Sequence, residues 1–181
     1  MSLKHRLWIC IFLTILLATS AHAAGKGSYT FDAAVPEGWK TVDNEEPMMF
    51  MTKDGGYKQF VLIRERPLAE PFQFTKKTMR PDMMPEEAAE VIVNEILADS
   101  NIRNFSVTEN IPAQIAGNRG FRMGFVYTDA DGYVFKTIYY GFIKDGTFYN
   151  IRYAATQEDF FQNDLKTFEN VFNSFRLVNV K

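Results

Sequence analysis

Histidine and cysteine are almost missing from this chain. Its 181 residues include one cysteine and two histidines, and all three lie near the start, at His5, Cys10 and His22. The segment that holds them has the marks of a secretory signal peptide. It opens on Lys4, His5 and Arg6, continues with an apolar run from Leu7 to Ala18, and closes on the small-residue pattern Ala21-His22-Ala23. Cleavage after Ala23 leaves 158 of the 181 residues, with no histidine and no cysteine. That excludes a cysteine nucleophile, a Ser-His-Asp triad, a His/Cys zinc site and a disulfide. Positive charge is scarce too. The whole chain carries a formal charge of −2, and the leader removes Lys4 and Arg6 but no acid. A chain of that sign is a poor partner for nucleic acid.

Long apolar runs are also lacking. The leader's run of about 12 residues falls short of the ~20 that a spanning helix needs, so no stable membrane insertion is expected after cleavage. Bulky Leu7, Trp8 and Ile9 before Cys10 argue against a lipidation site. The expectation is an exported protein, periplasmic in a bacterium rather than released, for which a cysteine-free domain suits an oxidising compartment. No linker, repeat or low-complexity tract interrupts residues 24–181, which read as a single domain after the signal peptide at 1–23. A domain of this size buries about two-thirds of its unfolded surface, so its core alone can hold it.

What is present is β-rich. After a lead-in at Ala24–Ser28, Tyr29–Phe31 reads as a short strand and Val35-Pro36-Glu37-Gly38 as a turn before Trp39. Met48–Thr52 and Lys58–Arg64 read as a hairpin around Lys53-Asp54-Gly55-Gly56. The proline-rich stretch Pro67–Met84 reads as a loop. Pro85, followed by Glu86 and Glu87, opens a helix to about Ser100, in which Ala88, Val91, Ile92, Glu95 and Ile96 share a face.

Phe105–Glu109, Arg119–Tyr127, Tyr133–Ile143 and Thr147–Ala154 read as strands, the last three forming an antiparallel meander through Ala130-Asp131-Gly132 and Lys144-Asp145-Gly146. In the last strand Tyr149, Ile151 and Tyr153 face one way and Phe148, Asn150 and Arg152 the other. Thr156-Gln157-Glu158-Asp159 resembles a capping box, opening a helix with the stripe Phe161, Leu165, Phe168, Phe172 and Phe175. Arg176–Val180 is a final short strand. Grouped rather than alternating elements predict an α+β fold: an antiparallel β-sheet with two main helices packed on it.

Two stretches carry a resemblance to a known family. Tyr29-x-Phe31-x-x-x-Val35-Pro36-x-Gly38-Trp39, and the closing Phe172-x-Ser174-Phe175-Arg176 with Gly117 before a strand, resemble PsbP-like and Mog-like domains, including the DcrB-related bacterial exported proteins. The resemblance implies an α/β/α sandwich used for binding and assembly rather than catalysis. Plant PsbP members support the oxygen-evolving centre of photosystem II, Mog-type members bind a small GTPase, and bacterial relatives include envelope proteins and secretion chaperones. No family site transfers residue by residue, since the histidines tied to metal in some PsbP proteins have no counterpart after the leader.

Four candidate sites compete with plain structural roles. Met48, Met49, Met51, Met79, Met83 and Met84 are soft ligands suited to Cu(I), but they equally suit adaptable core packing. Asp129-Ala130-Asp131-Gly132 has the start of a calcium loop and lacks the rest; the acidic run Asp43-Asn44-Glu45-Glu46 reads as a solvated loop. Glu65, Glu70, Glu86, Glu87 and Glu109 offer carboxylates with nothing to bring two together, and Ser100, Ser106 and Ser174 lack a nucleophile motif. Seventeen Phe and eight Tyr exceed what one helix stripe needs, so either both sheet faces are covered or one aromatic face stays open. Arg64, Arg66 and Arg80, with Phe72 and Phe74, mark the partner surface around the proline-rich loop, where specificity is usually carried.

The leading expectation is thus a non-enzymatic exported protein that takes no cofactor and works through contacts with another envelope protein. A periplasmic carrier of a small apolar ligand, with its pocket under Pro67–Met84, and a carboxylate-based hydrolase are the alternatives.

Overall fold

The computed structural model of the protein describes residues 30–42, 48–56, 58–156 and 160–178. The stretch read as a signal peptide at 1–23, the lead-in, the acidic run Asp43–Glu46 and Gln157–Asp159 of the expected capping box lie outside the described residues. Among the described residues, nine strands and two helices follow in the order β1 (Phe31–Asp32), β2 (Lys40–Val42), β3 (Met48–Thr52), β4 (Gln59–Pro67), α1 (Pro85–Leu97), β5 (Arg103–Ile115), β6 (Asn118–Thr128), β7 (Val134–Lys144), β8 (Thr147–Thr156), α2 (Leu165–Ser174) and β9 (Arg176–Leu177).

β5 to β8 form an antiparallel meander, and the β3–β4 hairpin docks on its last strand. The result is a seven-stranded antiparallel sheet ordered β2-β3-β4-β8-β7-β6-β5. The seam β4–β8 runs from Gln59↔Ala155 to Pro67↔Thr147. The hairpin turns follow from backbone chirality. Ala116-Gly117 and Asp145-Gly146 place both central residues at positive φ, the type I′ geometry whose twist matches the strands. At the Pro36 turn the Trp39 N–H donates to the Pro36 carbonyl at 3.1 Å, with Gly38 at φ 77°, and Trp39 is buried.

Strand alternation gives the sheet two buried faces. Val61, Ile63, Tyr149, Ile151 and Tyr153 face α2, whose Phe168, Val171 and the following Phe175 join them in one cluster with Phe31, Trp39 and Met51. Phe121, Met123, Phe125, Tyr127, Tyr139 and Phe148 face the other way, under Ala88, Ala89 and Ile92 of α1 and under Leu68, Phe72 and Met79 of the 68–84 connection. Both aromatic faces are therefore covered, as an α/β/α sandwich requires. A separate ribbon pairs β1 with β9 through Phe31↔Leu177.

Three elements differ most from the sequence reading. β5 runs to Ile115 rather than Glu109. It is the edge strand, mostly exposed, so no apolar alternation announces it; Pro112 is tolerated there because an edge strand can spare a donor. β2 is three exposed residues with no pattern to find. α2 opens at Leu165, leaving Phe161 in the preceding turn, where the carbonyls of Phe160 and Phe161 each accept a hydrogen bond from the Tyr153 hydroxyl at 3.2 Å.

Candidate functional site

Between α1, the 68–84 connection and the inward face of β4 and β8 lies a cleft of about 280 Å³. Its floor is set by register. β4 presents Leu62, Arg64 and Arg66, paired across the seam with Arg152, Asn150 and Phe148 of β8. Phe125, Tyr127 and Tyr139 extend the floor, and Ile92, Ile96 and Ile102 form the helix-side wall. Three arginines thus gather on two neighbouring strands, on a face otherwise built of aromatics.

Two of the arginines are positioned by different side-chain contacts. Arg66 is buried; its guanidinium lies 4.0 Å over the Phe72 ring and donates to the Glu70 carboxylate at 2.9 Å and the Pro71 carbonyl at 3.0 Å. Arg152 donates to the Tyr127 hydroxyl at 3.0 Å and lies 5.1 Å over Phe60. Beside Arg64, the Asn150 amide donates to the Arg64 carbonyl at 3.4 Å. Burial pushes the Tyr139 hydroxyl pKa well up, while the charges of Arg152, Arg66 and Arg64 pull it back. All three guanidinium groups act on that one hydroxyl.

The connection over the cleft is fastened by Glu95 of α1. Its carboxylate accepts the N–H of Phe74 and of Thr75, each at 2.8 Å, and the Thr75 hydroxyl at 2.7 Å. Burial raises the Glu95 pKa, but those hydrogen bonds and the Arg66 charge outweigh it and hold the carboxyl below its ordinary value. The fastening is therefore fully present above the ordinary carboxylate range and is lost only as pH falls through the depressed native value.

Glu95→Gln keeps one acceptor oxygen but turns an NH₂ toward the loop donors. The expected loss is about 1–2 kcal/mol of local stability. It should appear as roughly tenfold faster amide exchange at Phe74 and Thr75, with α2 unaffected. Unchanged exchange at those two amides would show that Glu95 does not hold the loop.

Four of the five residues expected around the loop meet at the cleft: Arg64, Arg66, Phe72 and Phe74. Arg80 does not line it; it lies exposed and pairs with Asp82 at 3.3 Å and Glu87 at 3.8 Å. Sequence reading missed Arg152, Asn150 and the role of Glu95. The signals were there: Asn150 and Arg152 alternate with core residues on a central strand, and Glu95 is an acid within the apolar face of α1.

The other candidates are dispersed. Met49 and Met51 pack on the α2 face, Met79 and Met83 on the α1 face, so the sheet separates the two methionine groups. Asp129 closes its hairpin by accepting the Tyr133 N–H at 2.8 Å. Among the described residues no three His, Cys, Asp or Glu side chains cluster to hold a metal. Glu65 accepts from the Thr30 N–H and hydroxyl, Glu70 pairs with Arg66, Glu87 accepts the Met84 N–H, and Glu109 pairs with Arg122. Ser174 accepts the Ala34 N–H and donates to Val171. Among the described residues no helix is long and apolar enough to cross a membrane.

No protein-family model matches the chain, and no curated protein does. Solved structures do match. LpqN of Mycobacterium tuberculosis, described as involved in cell envelope biogenesis, is 15% identical, with 87% of this chain and 88% of LpqN covered at a TM-score of 0.56. The cyanobacterial PsbP of Synechocystis is 10% identical, with 82% and 86% covered at 0.56. The Ran-binding protein Mog1p of Saccharomyces cerevisiae is 7% identical, with 83% and 91% covered at 0.54. The chain has the PsbP/Mog-like fold.

Proposed function

We propose that this is an exported, non-enzymatic binding protein of the cell envelope, and that it works by holding a small molecule in the cleft beneath the 68–84 connection. The observation that carries the reading is the cleft itself. Its floor is built on the rigid central strands β4 and β8, its cover is fastened by Glu95, and polar groups converge on an otherwise apolar lining. The two carboxylates that line it are both engaged locally, Glu95 by the loop and Asp99 by the Asn101 N–H and side chain, so neither stands as a base beside a nucleophile. The leader, and the envelope role described for LpqN, support the location.

A dry cavity of about 150 Å³ takes benzene, so this cleft suits a group nearly twice that size. The purified protein is expected to bind a naphthalene-sized probe saturably at one site, and Ile96→Trp, which fills the helix-side wall, to weaken that binding at least about tenfold. No saturable uptake, together with a bare mass for protein taken from its native compartment, would overturn the reading.

A second reading, contact with another envelope protein, is favoured by Phe74 and Met84, which stay exposed on the same stretch as Arg80. A photo-crosslinker at Phe74 that captures one discrete envelope protein would support it; crosslinks no different from those of a crosslinker at Lys144 would remove it.

A further inference from the structure

We propose that the ligand of this cleft is an amphipathic oxyanion: a carboxylate or phosphate joined to an aromatic or short aliphatic group, its charge held by Arg152 with Arg64 and Arg66. The inference rests on the cleft being a binding site and adds the chemistry of what it binds.

The charge pattern is the first support. Arg64 and Arg66 are two residues apart on β4, and Arg152 sits diagonally from Arg64 across the seam. Side chains so placed are within reach of one another, and like charges gathered on a half-buried face are unfavourable unless something opposes them. The lining acids are a poor answer to Arg152. Glu95 spends both oxygens on Phe74 and Thr75, and Asp99 spends one on Asn101. Glu70 pairs with Arg66.

The donors are the second support. Among the described residues Arg152 has no carboxylate within ion-pair distance, and its charge is met by the Tyr127 hydroxyl and the faces of Phe60 and Tyr127. The Nε–H of Arg152 and that of Arg66 are buried and make no hydrogen bond. A buried donor left unmade is costly. A planar or tetrahedral oxyanion supplies several acceptors at once and matches the guanidinium fork. Arginine stays charged at every physiological pH, so the preference needs no titration.

The apolar wall fixes the other half of the ligand. Ile92, Ile96, Ile102 and Phe125 make that side apolar apart from Asp99. A bare inorganic anion would leave this surface wet, and a neutral apolar molecule would leave the Arg152 charge unanswered.

The test is calorimetric titration of the purified protein with naphthoate, naphthyl phosphate and neutral naphthamide. The anions should bind at least about tenfold tighter than the amide, and comparing the two says which headgroup the site prefers. Arg152→Met keeps the packing over Phe60 and should cost the anions about tenfold while leaving the amide within about twofold; Arg152→Lys should recover part of the loss. Equal affinity for anion and amide in the wild-type protein would overturn the proposal and leave the binding site standing. An unchanged anion affinity in Arg152→Met would also overturn it. No binding of any of the three would remove the site and the proposal together. The wild-type ratio decides even where the methionine variant fails to fold.

Discussion

Phe168→Ala is expected to cost about 4 kcal/mol of folding stability, within the range for removing a buried phenylalanine from a core. Phe168 is 1% exposed. Its ring stacks on Tyr153 at 5.2 Å and meets Tyr140 at 6.2 Å, so its loss opens a cavity between two aromatics that cannot collapse without moving a strand. The effect is large because α2 has little else. A ten-residue helix is marginal by itself, and Phe168 and Val171 are its two buried side chains. For a domain of this size the melting temperature should fall by roughly 8–16 °C. Phe172→Ala, at a half-buried ring stacked on Tyr140 at 4.1 Å, should cost clearly less. Urea unfolding measures both. A Phe168→Ala loss below about 1.5 kcal/mol would mean α2 is not docked as described. Because the cleft lies on the opposite face, probe affinity in the folded variant should not change.

Gly120→Ala should be nearly as damaging, at about 3 kcal/mol. Gly120 of β6 is buried and its backbone is ordinary strand. The constraint is space, not chirality. A Cβ there would lie 2.3 Å from the Gly141 carbonyl oxygen and 2.8 Å from Phe142 Cβ. The nearest atom is backbone in the neighbouring strand β7, so no side-chain rotation relieves the contact. The ladder around Gly120↔Phe142 must open. The comparison is Gly56→Ala, where the nearest atom is the rim of the Phe50 ring at 3.1 Å; a ring can swing, and the cost should be small. Equal midpoints for the two variants in denaturant would sink the argument.

How far the sequence told the architecture depended on burial. Elements with buried side chains at a regular period were legible. The stripe of α2 and the alternation of β8 follow from helix and strand periods, and Pro85 marked the start of α1 where the structure has it. Elements without a buried face were not. β5 lies at the edge and exposes Val107 and Ile111, so its second half had no period to read. The cleft was half legible. Arg64, Arg66, Phe72 and Phe74 are near one another in the chain, and a loop reading gathers them. Arg152 is some 86 to 88 residues further on, brought beside Arg64 by the β4–β8 register. Pairing between distant strands is a tertiary choice that local pattern does not encode. What local pattern did encode was the anomaly: an asparagine and an arginine on the inward side of a strand flanked by β4 and β7.

The small β1–β9 ribbon has a consequence for handling and for topology. It sets Thr30 beside Val178, whose N–H donates to the Thr30 carbonyl at 2.9 Å. Both ends of the described chain therefore leave from one spot, on the α2 side of the sheet. A fusion partner joined directly at Thr30 or at Val178 would start behind the sheet, away from the arginine side. A short linker joining the two ends should close the chain into a ring, with new termini cut at the exposed Asp145-Gly146 turn; neighbouring ends are what makes such permutation tolerable.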